Sequence, residues 1–295
     1  MAANNLSYQF KTANIAIKVI VINVALFLFA RIGAWIIGSD PSSFMKWFVL
    51  PAEISNFLFQ FWSVVTYSFL HFDFFHILWN MLILYWFSQF VLNLFTEKRF
   101  LTIYLLGAIC GGFLFLLGYN LFPVLAGQRG FLIGASAGVL AIVVFIATYT
   151  PNTEVRIFMF TLKLWHIALF MVLRDLIQLP TSGNAGGLIA HMGGALLGYI
   201  YAAQLKKGVD IGLGFEKTVD GISNYFKPKS RSPLKTVHRK QKTTPNKKYS
   251  ASKVARRNKT DQQKQIDEIL DKISKSGYES LSKQEKDFLF KAGKE

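Results

Sequence analysis

Six runs of apolar residues dominate the first 205 positions of the chain, at about 19–37, 69–95, 100–122, 134–149, 165–179 and 187–203. The hydrocarbon core of a bilayer takes roughly 20 apolar residues per helix, so the pattern predicts an all-α integral membrane bundle of six transmembrane helices. Arg31 interrupts the first run near its end, Arg174 and Asp175 fall near the end of the fifth, and Pro151 and Pro180 mark breaks after the fourth and fifth. The first run is too long for the apolar region of a cleaved signal peptide and no small-residue cleavage site follows it, so it is expected to remain as a helix. Beyond residue 205 the pattern changes. Residues 206–259 hold few large apolar side chains, with Pro, Ser and Thr among them. In residues 260–295, Ile266, Ile269, Leu270 and Ile273 share one helical face. Gly277 would stop that helix, and Ser282-Lys-Gln-Glu285 reads as a capping box opening a second, to which Phe288 and Leu289 add apolar weight.

Composition sharpens this division. The 295 residues are 52% hydrophobic and only 17% charged, with a mean hydropathy of +0.32, yet the formal net charge is +16. Residues 1–205 hold 10 Lys and Arg against 6 Asp and Glu (net +4), residues 206–259 hold 16 against 3 (net +13), and residues 260–295 hold 7 against 8 (net −1). Three units follow: a membrane domain (1–205), a basic and disordered linker (206–259), and a small helical hairpin (260–295). The hairpin is too short for a robust core of its own, which makes it a candidate dock for a cytoplasmic partner. The basic stretch suits a solvated tail near anionic lipid headgroups. Nucleic acid is not expected as a partner, because aromatics are sparse there and no binding motif is present. Lys11, Lys18, Lys98, Arg99, Arg156, Lys163 and the tail all fall on one side of a six-helix topology, with only Lys46 and Arg129 on the other. The positive-inside bias then puts both termini in the cytoplasm, with a bacterial cytoplasmic membrane as the expected setting. A single cysteine, Cys110, excludes an intramolecular disulfide and any multi-cysteine metal site; neither a metal nor a cofactor is expected.

Polar groups in membrane helices are costly and mark function. His76 and Asn80 in the second run are four apart and share a face, with His71 five residues earlier, off that face. The fourth run opens Gly134-Ala-Ser136-Ala-Gly138, a weak motif alone, since Gly134 and Gly138 also read as a small-residue packing face. In the sixth run, Ala190, Gly194, Gly198 and Ala202 form a small stripe with His191 beside it, and a helix bearing its own small residues, such as the one with Ser136, is its natural neighbour. Serine needs an adjacent base to act as a nucleophile, neutral imidazole supplies one, and an acyl-transfer intermediate needs donors for its oxyanion. Ser136, His191, His76 and Asn80 could provide all of these. Asp73 and Asp175 are the only carboxylates in or near the membrane helices. Neither has motif support, so the residues read as a Ser–His dyad.

These motifs resemble the rhomboid family of intramembrane serine proteases: His71-x4-His76-x3-Asn80, Gly134-x-Ser136 and Ala190-His191-x-x-Gly194-x-x-x-Gly198, in that order. The lead-in from Trp62 to His71 is also similar. The resemblance covers about residues 14–205. It implies a six-helix rhomboid-like core, cleavage of transmembrane proteins whose helices unwind readily, Ser136 as nucleophile and His191 as base. It further implies an oxyanion site formed by His76, Asn80 and the Ser136 amide, a supporting role for His71, and room at Gly134 for the substrate backbone. The sequence departs from the family at Ala137, where Gly is frequent, and at Leu140, where many members stack an aromatic on the base. It departs again at 38–61, which lacks a Trp-Arg pair. The competing readings are an inactive rhomboid-like protein that escorts membrane clients and a transporter. The first is disfavoured by the presence of both Ser136 and His191, the second by the lack of charged pathway residues or repeated halves.

Overall fold

The structure, a computed structural model, describes residues 6–226, apart from 126, 129 and 158, and residues 252–292. Arg129 and residues 227–251 of the basic stretch therefore lie outside the described residues. The chain divides into two units, Met1–Pro228 and Lys229–Glu295.

In the first unit the helices are α1 (Leu6–Thr12), α2 (Ile15–Ile36), α3 (Ser42–Met45), α4 (Ile54–Phe59), α5 (Ser63–Thr66), α6 (Phe74–Leu94), α7 (Glu97–Leu121), α8 (Ser136–Tyr149), α9 (Leu164–Gln178), α10 (Ala185–Lys206) and α11 (Leu213–Phe226). Two small antiparallel ladders, which the all-α expectation did not include, join β1 (Leu50–Pro51) to β2 (Phe131–Leu132) and β3 (Glu154–Ile157) to β4 (Phe160–Lys163). Among the described residues α2, α6, α7 and α10 are long and apolar enough to cross a membrane. The other two expected spans, α8 and α9, are helices of 14 and 15 residues. At 1.5 Å per residue α8 is roughly 21 Å long, against roughly 33 Å for α10 and 37 Å for α7, so it stops short of the thickness its neighbours cover.

The long helices turn apolar side chains outward, as a lipid-facing surface requires: Phe29, Trp35, Trp79 and Trp86 are all more than half exposed. α8 is the opposite case, buried from Ala137 to Ala147, and it packs against both α7 and α10. Small residues permit this. A Cβ on Gly138 would lie 2.8 Å from the Tyr104 carbonyl oxygen of α7, and one on Gly111 would lie 2.6 Å from the Ala137 side chain and 2.7 Å from the Ala190 carbonyl oxygen. Gly194 and Gly198 of α10 meet the backbone carbonyls of Ala137 and Ala141 directly, with no room for a side chain. Such close approach is how helices associate where lipid removes the hydrophobic drive between them.

Part of the stretch expected to be disordered is ordered. α11 occupies 213–226, and Lys98 at the start of α7 pairs with Glu216 (3.5 Å) and Asp220 (2.5 Å) of that helix. Just ahead of α11, Asp210 accepts from the Tyr201 hydroxyl (2.7 Å) and the Gly212 amide (3.0 Å) and pairs with Arg99. The acidic residues of 206–226 are thus spent on the basic start of α7, a local pairing that net charge conceals. Burial alone would raise the Asp210 carboxyl, but the Tyr201 hydroxyl, the Gly212 amide and Arg99 outweigh it and hold the group below the ordinary carboxylate range.

In the second unit, α12 (Ser252–Ser276) begins inside the expected linker and runs through the expected apolar face to Gly277, which stops it at φ +76°. α13 (Lys283–Ala292) follows. Ser282 and Glu285 form the reciprocal cap: the Ser282 amide donates to the Glu285 carboxylate (2.7 Å) and the Glu285 amide to the Ser282 hydroxyl (3.3 Å). Lys272 closes the hairpin on Glu285 at 2.9 Å. Ile269 and Leu281 are buried, while Leu270 is half exposed.

Two stability outcomes follow. Gly198→Val forces α10 off α8 and is expected to cost about 1–3 kcal/mol, while Leu196→Val on the exposed side of α10 changes stability by less than about 0.5 kcal/mol; thermal unfolding in detergent compares them. For Asp210 the folded state favours the charged carboxylate. Its contribution is complete at pH 7 and is lost as pH falls below the ordinary Asp value of about 3.9 toward the lower folded value. Asp210→Asn should therefore lower the melting temperature at pH 7, with the gap to wild type narrowing at pH 3.5; a gap that stays constant would refute the assignment.

Candidate functional site

The segment entering α8 is not helical, yet its backbone groups are met by protein. β2 pairs with β1 in the register Leu50↔Leu132 and Pro51↔Phe131. The Gly130 carbonyl accepts from the Ala52 amide (2.9 Å), the Gly134 amide donates to the Tyr67 carbonyl (3.0 Å), and the Ala135 amide donates to His71 Nε2 (3.3 Å). Asn120 ties the same region to α7 through the Ala52 carbonyl (2.9 Å). Gly134 sits at φ +122°, and a Cβ there would lie 2.7 Å from the His76 ring. The close approach that needs glycine is thus to the imidazole of α6. Ser136 is the first residue of α8, where the amides of the first turn lack helical partners.

His71 is 1% exposed and sits edge-on to His76, with ring centroids 4.9 Å apart. It therefore supports both the approach to Ser136 and the His76 ring. Asp73 caps α6 by accepting from the His76 amide at 2.8 Å, a structural use of this carboxylate. One turn on, Asn80 donates to the His76 carbonyl at 2.9 Å, which leaves its second N–H unengaged among the described hydrogen bonds. The region at 38–61 is anchored by side chains on backbone carbonyls: Trp62 on Trp47 (2.8 Å), Thr66 on Phe48 (2.8 Å) and Gln60 on Val49 (3.2 Å).

Ser136, His191, His76 and Asn80 line one cavity of about 350 Å³, together with Leu140, Arg174 and Asp175. His71 lies beneath its wall, and Gly194 and Gly198 set how closely α10 approaches α8. Among the described residues no hydrogen bond joins the Ser136 hydroxyl to His191. Asp175 has no motif support in the sequence, and the structure places it against His191. Asp175 of α9 is 1% exposed and its Oδ2 lies 2.6 Å from His191 Nδ1, while Oδ1 accepts from Arg174 Nε at 2.9 Å. The sequence held a cue, because Asp175 falls inside an apolar run where an unpaired carboxylate would be costly. Its partner lies 16 residues away on another helix, a separation no local pattern encodes.

Comparison with known proteins bears on the family. The model of the Rhomboid domain matches residues 58–208, and a second model, a family of unknown function (DUF6576), matches residues 247–292. The human presenilin-associated rhomboid-like protein, mitochondrial, is 29% identical over 139 residues, covering 45% of this chain and 35% of its own length. The zebrafish (Danio rerio) presenilin-associated rhomboid-like protein A, mitochondrial, is 28% identical over 143 residues, 47% of this chain and 36% of its own. The Arabidopsis thaliana RHOMBOID-like protein 12, mitochondrial, is 28% identical over 158 residues, 50% of this chain and 47% of its own. The chain thus spans between about a third and a half of the length of these relatives. With a Rhomboid match over more than half its length and four helices able to span a bilayer, this multi-pass membrane protein belongs to the rhomboid family.

Proposed function

We propose that the protein is an intramembrane serine endopeptidase that cleaves transmembrane proteins, with Ser136 as nucleophile and His191 as general base and acid. The observation that carries this reading is the convergence of Ser136, His191, His76 and Asn80, from three different helices, on one cavity within an apolar bundle. His191 Nε2 takes the hydroxyl proton as Ser136 Oγ bonds to the scissile carbonyl carbon and the C=O electron pair moves onto oxygen. The oxyanion is held by His76, the free N–H of Asn80 and the amide of Ser136. Collapse breaks the C–N bond, and the imidazolium returns its proton to the leaving amine. Water, deprotonated by His191, then attacks the acyl carbon, the C–Oγ bond breaks to release the carboxylic acid, and the imidazolium returns its proton to Ser136 Oγ. The unmade Ser136–His191 hydrogen bond is the kind of contact that tightens when substrate binds. A packed substrate helix hides its peptide groups in its own hydrogen bonds, so the preferred substrates are helices that unwind easily.

Six helices, with the basic flanks on one side, would put both termini in the cytoplasm. The orientation rests on Lys11, Lys18, Lys98, Arg99, Arg156 and Lys163. The mitochondrial names of the relatives give no support to the expected bacterial membrane, so the orientation is stated by the basic side alone. A reporter fluorescent only in the cytoplasm, fused after residue 295, should light up; a silent reporter on well-expressed protein would overturn the topology.

Detergent-purified protein incubated with a model transmembrane substrate should release the cleaved fragment. Ser136→Ala and His191→Ala should each lower kcat by at least about 10³-fold. A fluorophosphonate probe should label wild type at Ser136. Cleavage retained in both variants, or labelling elsewhere, would refute the reading, and binding of clients without cleavage by wild type would favour an escort protein.

A further inference from the structure

We propose that Asp175 is the positioning residue for the catalytic imidazole, so that the working unit is Ser136–His191–Asp175, with Arg174 as the counter-charge of the carboxylate. The proposal rests on the protease reading for its kinetic consequence but on geometry for its substance. His191 and Asp175 come from α10 and α9, and the Nδ1 to Oδ2 distance of 2.6 Å is that of a charge-assisted hydrogen bond. The carboxylate is 1% exposed and both of its oxygens are engaged, Oδ2 by His191 and Oδ1 by Arg174. An ionised carboxylate only accepts, so the proton between the two groups sits on Nδ1. That fixes the neutral imidazole as the Nδ1–H tautomer and leaves the Nε2 lone pair as the base. It also fixes the ring plane; the position where many family members stack an aromatic on the base is Leu140, which lines the cavity.

Arg174 makes the arrangement affordable in a membrane. A lone carboxylate at 1% exposure would carry a large desolvation cost; with the adjacent guanidinium, whose side chain is 44% exposed, the pair is neutral. When His191 takes the serine proton, the new imidazolium lies directly against the carboxylate, stabilising the charge where it develops. Loss of Asp175 therefore removes both the tautomer and the stabilisation, while substrate binding, which does not involve the buried carboxylate, is preserved.

The test separates positioning from folding and from the protease reading. In detergent, with the model transmembrane substrate, Asp175→Asn is expected to lower kcat by about 10²–10⁴-fold, the scale seen when an orienting aspartate is replaced by its amide, with KM changed less than about threefold. Asp175→Glu, which keeps a carboxylate, should recover at least about tenfold of that loss. Melting temperature and size-exclusion profile report whether each variant folds. Wild-type protein labelled with ¹⁵N-histidine supplies a readout that needs no variant and no activity: the Nδ1 of His191, assigned by loss of its signal in His191→Ala, should carry the proton. A wild-type His191 protonated at Nε2 and not Nδ1, or a folded Asp175→Asn with kcat unchanged, would overturn the proposal. If wild type labels no serine and cleaves nothing, the protease reading fails by itself, and the tautomer still decides the pairing.

Discussion

A peptide group in hydrocarbon has to find its hydrogen bond within the protein, and under the protease reading the reactive residue has to lie on backbone that is not hidden in the middle of a long helix. Residues 130–135 reconcile these demands. They leave helical geometry, yet the Gly134 amide goes to the Tyr67 carbonyl, the Ala135 amide to His71, and β1 and β2 serve each other. Helix α8 can then start at Ser136, short of the span of its neighbours. The first turn of a helix is also where amides are free, so the shortness that sets the depth of Ser136 also exposes donors beside it.

Starting a helix inside the bundle has a packing consequence. α8 is walled by α7 and α10, and the facing positions are glycine and alanine because the backbones approach to carbonyl contact. Ser136 and His191 are therefore referenced to each other through main chain, from Ala137 to Gly194, and not through long side chains with rotamers of their own. The stiffness this gives supports a preorganised site. It also explains why the residues at the α8–α10 seam are so small in a chain otherwise rich in Phe.

The helix runs and the His, Asn, Ser and Gly motifs were legible in the sequence because both are short-range signals: apolar length reads directly as a span, and spacings of three to five residues read as helix faces. The small stripe on α10 even pointed to α8 as its neighbour. Less legible was whatever depends on tertiary proximity. α11 was hidden inside a basic stretch, because Asp210, Glu216 and Asp220 are few in number but meet Lys98 and Arg99 from more than 100 positions away. The role of Asp175 was hidden for the same reason. The family motif implies room for substrate at Gly134, and the missing Cβ also makes room for His76; a motif names the position but not the neighbour.

Several charged residues of the membrane unit follow one rule that joins these cases. Arg31 donates to the Phe72 carbonyl, Arg99 meets Asp210, Lys98 meets Glu216 and Asp220, and Arg174 meets Asp175. Each partnership limits the cost of a charge beside hydrocarbon. The Arg174–Asp175 pair differs because a third, titratable group joins it. The neutral imidazole that the proposed base requires, set on a neutral pair, would leave the resting cavity without net charge. In the proposed mechanism, proton transfer from Ser136 would add a positive ring and a negative oxygen together, so the net charge of the cavity would stay the same and only its separation would grow. In a low-dielectric site the energy of that separation depends on fixed dipoles and charges at its two ends. The N-terminus of α8 stands at one end and the carboxylate of α9 at the other. Under the protease reading such an arrangement would favour proton transfer in the cavity without requiring an isolated charge in the resting protein.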